Sequence, residues 1–184
     1  MASGDTQSAA ISNTVLGKSA LARDALLAAN VNPDTGLATD YLNHFNEVVM
    51  LMEMLPDMHD CIEDILEWEQ IDYCTHFERS GLKGSDVAIL AYHTAPRALK
   101  AHLETLVLQI DEEIQLAKKW ICEDGISDEI ARKIAAMATD DIKPLIAAAG
   151  GAIHGEVEGE IDYVDESIQA EVDSFFDKQN QANK

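Results

Sequence analysis

Aromatic side chains are scarce in this chain: four Phe, four Tyr and two Trp make up 5% of its 184 residues. Strands draw on aromatic and β-branched residues, so the abundant Ala, Leu, Ile and Met shift the balance towards helices. Bases are scarce as well, with 13 Lys and Arg against 34 Asp and Glu, for a net charge of −21. Such a charge repels nucleic-acid phosphates and anionic membranes and leaves proteins or cations as partners. Three cysteines, Cys61, Cys74 and Cys122, are an odd number without framework spacing, which suits reduced thiols better than a secreted disulfide scaffold. Long apolar runs are missing too. The longest uncharged one, Pro144 to Ile153, falls far short of the roughly 20 residues of a membrane helix. The opening MASGDTQSAA has Asp5 and no apolar h-region, so a cytoplasmic protein is expected.

What is present is helical periodicity in a chain long enough for one sizeable core, so a single domain spanning residues 1–184 is expected. Asp5 to Ala29 is Ala-rich and mildly amphipathic, and it stops at the turn residues Asn32-Pro33-Asp34-Thr35-Gly36. Thr39 is a candidate cap for a helix whose Tyr41, Phe45, Val48, Met52 and Leu55 step by four and three along one stripe. Pro56 ends or kinks that helix and can start another, with Met58, Cys61, Ile62, Ile65 and Trp68 as its buried face. A short helix over Tyr73 to Arg79 closes at Ser80-Gly81, and Gly84-Ser85 caps the next, which runs to about His93.

The strongest pattern follows Pro96: Leu99, Leu103, Leu106, Ile110, Ile114, Ala117 and Ile121 recur at three or four until Asp124-Gly125. Some 27 residues at about 1.5 Å each would span roughly 40 Å, enough for the spine of a bundle. Ser127 caps a helix carrying Ile130, Ile134 and Met137, Pro144 bends or restarts the chain, and Gly150-Gly151 offers a flexible break. A last helix uses Ile161, Val164, Ile168, Val172 and Phe175, while residues 1–10 and 179–184 are expected to fray. The expected fold is an all-α bundle of about six or seven helices.

Charge is unevenly distributed along this bundle. Asp40 to Arg79 holds eleven acids and one base, Glu156 to Lys178 nine acids and one base, and residues 82 to 123 six acids and five bases. Each acidic segment also carries an apolar stripe, so its acids form either the solvated face of a packed helix or a docking surface for a basic partner.

Six histidines among many carboxylates raise metal chemistry, with iron or zinc in a helical bundle. His59 and Glu63 are one turn apart, and His44 with Glu47 offers a second pair. Ferritin-like centres need Glu-x-x-His on two helices, and that motif does not occur here. His59-Asp60-Cys61 and Cys74-Thr75-His76 supply four zinc-type ligands, but residues two apart on a helix diverge by about 200°. His102 lies near Lys100 and Arg97 on the long helix, yet Leu103-Glu104-Thr105 follows it where a phosphotransfer histidine has Lys-Gly. There is no Gly-x-Ser-x-Gly, no Walker or dinucleotide loop and no EF-hand run.

The segment Thr35-Gly36-Leu37-Ala38-Thr39-Asp40-Tyr41-Leu42-Asn43-His44-Phe45-Asn46-Glu47, followed by Leu55-Pro56-Asp57-Met58, resembles a family of uncharacterised alphaproteobacterial helical proteins. The resemblance covers the N-terminal half, to about Tyr92. It implies a bacterial cytoplasmic protein and no particular activity. Within it, Tyr41, Asn43, His44, Asn46 and Glu47 are polar groups crowded beside an apolar stripe, which suits either a recognition surface or a hydrogen-bonded helix junction.

The sequence therefore leads to a non-enzymatic binding or regulatory protein that needs no cofactor and engages a basic or amphipathic partner. A carboxylate–histidine metalloprotein built on His44, Glu47, His59 and Glu63 is the alternative. A homo-oligomer paired along the helix from Pro96 to Cys122 is a further option.

Overall fold

Pro96, which fixes its own φ and lacks an N–H, stands immediately before the longest helix, and Gly125, at φ 70°, terminates it. The computed structural model describes residues 22–156. Within them run α1 (Arg23–Ala28), α2 (Asn43–Met54), α3 (Ile62–Glu67), α4 (Tyr73–Ser80), α5 (Ser85–Thr94), α6 (Arg97–Asp124), α7 (Asp128–Met137) and α8 (Lys143–His154). Short 3₁₀ turns at Thr39–Leu42 and His59–Cys61 lead into α2 and α3, and a π turn at Ala138–Ile142 joins α7 to α8. With α7 and α8 counted as one continuous helix, the described residues form seven helices and no strand, the expected all-α bundle.

The 28 residues of α6 span about 42 Å. All seven of its periodic apolar residues, Leu99 to Ile121, are buried. Its principal partner is α8, which presents Ile146, Ala149, Ala152 and Ile153, while α2 lies against α7, the π turn and the 3₁₀ turn before it. The stripe Tyr41, Phe45, Val48, Met52 and Leu55 is wholly buried. Each such large apolar side chain contributes about 1.5–3 kcal/mol by leaving water.

Local chemistry sets the other boundaries. Asp72 caps α4 by accepting from the Thr75 N–H, Gly81 closes that helix at φ 63°, and Ser127 caps α7 by accepting from Ile130 N–H. Pro144 cannot donate to the carbonyl four residues back, and its ring would press on it; the widened π turn over Ala138–Ile142 accommodates both effects.

Three expectations are corrected. Thr39 does not cap α2: it opens a 3₁₀ turn that carries the chain into the helix at Asn43, and no side-chain cap is made there. Met58 is not part of a buried face. The chain turns through Leu55-Pro56-Asp57, leaving Met58 47% exposed, and the inward residues of the next segment are Cys61, Ile65 and Trp68. Gly150-Gly151 is not a break, because both lie inside α8. A glycine costs a helix about 1 kcal/mol relative to alanine, and burial of Ala149, Ala152 and Ile153 around the pair offsets it. The first helix before residue 22, the last helix with Ile161 to Phe175, most of the Glu156–Lys178 acids and both frayed ends lie outside the described residues.

Candidate functional site

The chain between Trp68 and Tyr73 is not helical, so its carbonyls have no partners of their own within a helix. Side chains of the preceding elements supply them. The Tyr41 hydroxyl donates to the Ile71 carbonyl at 2.9 Å, and His44 Nε2 donates to the Glu69 carbonyl at 2.8 Å. A carbonyl cannot donate, so this bond places the proton of the neutral ring on Nε2. In return the Trp68 indole N–H donates to the His44 carbonyl at 3.1 Å. Lys118 of α6 completes the junction, donating to the carbonyls of Leu66, in the last turn of α3, and of Trp68, just beyond its end. The Tyr73 hydroxyl accepts from Ala38 N–H at 2.9 Å and ties down the loop before α2.

This arrangement divides the five residues read as one surface. Tyr41 is only 3% exposed and belongs to the core, His44 is half-buried in the junction, and Asn43, Asn46 and Glu47 face solvent. A single recognition patch made of all five does not form, because Tyr41 and His44 point inward to serve the Glu69–Ile71 link. Burial pushes the His44 ring below the ordinary histidine range. His76, packed 6.2 Å from His44 and 5.6 Å from Tyr41 between ring centroids, is pushed down by burial and then by His44. Its Nε2 is buried without a hydrogen-bond partner among the described residues.

The metal ligands proposed from sequence do not assemble. His59 sits in the 3₁₀ turn before α3, so the α-helical spacing assumed for His59 and Glu63 does not hold, and its ring points towards Asp128 at 4.0 Å. His44 spends Nε2 on the Glu69 carbonyl, and Glu47 is exposed. Among the described residues no three His, Cys, Asp or Glu side chains come together in a way that could hold a metal ion, the Cys61 and Cys74 pattern included.

Beside the junction lies a cleft of about 280 Å³ between the Gln70–Tyr73 segment, α5 and α6. Three tyrosines run along it as a ladder: Tyr41 to Tyr73 at 5.2 Å between ring centroids, then Tyr73 stacked on Tyr92 at 4.4 Å and 14°. Leu103, Val107 and Leu108 of α6 form the opposing wall. Asp72 and Glu104 are its two carboxylates, and no Lys or Arg lines it. Burial raises the phenols of Tyr41, Tyr73 and Tyr92, so all three stay neutral at physiological pH.

Sequence reasoning found Tyr41 but missed Asp72, Tyr73, Tyr92 and Glu104. Asp72 was detectable as an acid three residues before Thr75 at a helix start. The approach of Tyr92 to Glu104 is set by the turn between α5 and α6, which no periodicity encodes. No known protein family, curated protein or solved structure matches this chain.

Proposed function

We propose that this is a non-enzymatic binding or regulatory protein of the cytoplasm, which engages a basic protein partner through an acidic helical surface. The observation that carries this reading is the face around α3. Asp57, Asp60, Glu63, Asp64, Glu67 and Glu69 are all exposed, and no Lys or Arg occurs between Asp40 and Glu78. Like charges at this density raise one another's energy, and a cationic surface relieves that cost on contact. Two further observations support it: no helix among the described residues is long and apolar enough to cross a membrane, and none of the catalytic loop motifs occurs in the sequence.

The test is affinity capture with the full chain and with Glu63→Gln/Asp64→Asn/Glu67→Gln, each at several salt concentrations. The expected result is a basic protein that the native chain retains at low salt, that elutes as ionic strength rises, and that the neutralised variant fails to hold. Equal capture by both forms, or no specific partner at any salt, overturns the reading.

A further inference from the structure

We infer that the tyrosine-lined cleft between α5 and α6 is a binding site for an organic ammonium group carried on a short apolar stem. This deepens the proposed function, since a lysine side chain of a basic partner has that chemistry, as does a free alkylamine.

The cleft separates its two kinds of lining in a way that matches such a group. Half-buried Tyr92 and exposed Leu108 offer apolar surface to a stem over a floor of Tyr41, Tyr73, Leu103 and Val107, while Asp72 and Glu104 supply negative charge. Both carboxylates are held in place before any ligand arrives. Asp72 accepts from Thr75 N–H at 3.0 Å and from its hydroxyl at 2.6 Å, and Glu104 Oε1 accepts from the Tyr92 hydroxyl at 2.5 Å. Those bonds leave acceptor capacity on each carboxylate, Glu104 Oε2 included. The Thr75 bonds hold the Asp72 carboxyl below the usual carboxylate range, so it is ionised at neutral pH.

Neutral tyrosine rings attract cations, and Tyr92 already shows it: Lys100 Nζ lies 5.4 Å from its ring centroid. A volume of about 280 Å³ suits a stem of lysine size better than a nucleotide. Anionic ligands are disfavoured by the two carboxylates. A purely apolar ligand would leave them without a counterion.

The experiment is a titration of the full chain followed by two-dimensional NMR. The probes are n-butylammonium, neutral n-butanol as its uncharged counterpart, and a short lysine-containing peptide. Saturable shifts at Tyr73, Tyr92, Leu103 and Val107 are expected with butylammonium and not with butanol. Asp72→Asn/Glu104→Gln, which preserves the cap and the Tyr92 acceptor, is expected to weaken binding by about tenfold. Lys100→Gln, which removes a competing cation, is expected to tighten it by about two- to threefold. Thermal melts of both variants establish that they fold.

A peptide that binds more tightly than butylammonium identifies a protein side chain as the source, and equal affinity identifies a free amine; both uphold the site. Absence of saturation, shifts confined to other surfaces, or equal response to butanol overturns it. A basic partner captured equally by the native chain and the Asp72/Glu104 variant, together with no ammonium binding, rejects the cleft and leaves the proposed function intact. Ammonium binding without any basic partner does the reverse.

Discussion

His44 and Trp68 hold one another at two points: their rings stack at 4.8 Å and 23°, and the Trp68 indole N–H donates to the carbonyl of His44 itself. The pair fixes the angle at which the chain leaves α3 and so positions Tyr73 and Asp72 for the cleft. Trp68→Phe keeps a ring and removes the donor, with an expected loss of about 1 kcal/mol in urea denaturation. Trp68→Ala removes the packing as well and should cost about 3–5 kcal/mol. Equal losses for the two variants would mean that the hydrogen bond, not the packing, dominates the junction.

Stability should depend on pH through the two packed histidines. Burial lowers both His44 and His76 below the ordinary value near 6.5, so the unfolded chain takes up protons first as the pH falls. Their contribution is therefore complete above about pH 7 and declines as the pH drops through 6.5 towards their depressed folded values. Denaturation midpoints measured from pH 7.5 to pH 5 should fall accordingly. The slope should flatten in His44→Gln/His76→Gln, whereas an unchanged slope would assign the effect to the carboxylates.

Gly81 and Gly84 both have positive φ, 63° and 94°, but only one is crowded. A Cβ at Gly84 would lie 2.7 Å from the Ala29 Cβ and 3.0 Å from its Cα, while one at Gly81 would meet nothing within 4 Å. Gly81→Ala should therefore cost about 1 kcal/mol of backbone strain. Gly84→Ala adds displacement of the end of α1 and should cost at least about 2–3 kcal/mol. Thermal melts of the two proteins compare them directly.

Thr35 is the buried polar residue that ties the loop after α1 to the last described helix. Its hydroxyl donates to the Ile153 carbonyl at 2.6 Å, where Asn32 Nδ2 also donates at 3.2 Å. Thr35→Val conserves volume and deletes both that donor and the oxygen that accepts from Leu37 N–H at 3.3 Å, for an expected loss of about 1–2 kcal/mol, and Thr35→Ser should recover most of it. Hydrogen exchange should localise the loosening to α8 and residues 32–37.

The apolar stripes of α2 and α6 were readable because burial on one helix face imposes a period that the residues themselves display. Gly81, Gly84, Gly125 and Ser127 marked helix ends through local backbone chemistry. The hydrogen bond of the Tyr41 hydroxyl was not readable: its acceptor, the Ile71 carbonyl, lies thirty residues away and is free only because the link to α4 is not helical. His59 misled for a similar reason, since a 3₁₀ turn and an α-helix share the same local composition. Exposed Asn43, Asn46 and Glu47 followed from their helical phase, whereas the cleft required knowing how three separate helices meet.

The π turn at Ala138–Ile142 makes the length of the last helix a setting of its angle as well as its reach. It carries one more residue per turn than the α-helix around it. With that residue in place, Ile134 and Met137 before the turn and Ile146, Ala149 and Ile153 after it are all buried. Closing the turn to α geometry with all five of its residues kept would rotate everything downstream by about 100°. The faces of α7 and α8 would then no longer be in phase, and Ile146, Ala149 and Ile153 would swing away from α6. The chain tolerates Pro144 in mid-helix because the same local widening that makes room for its ring also keeps the two halves aligned.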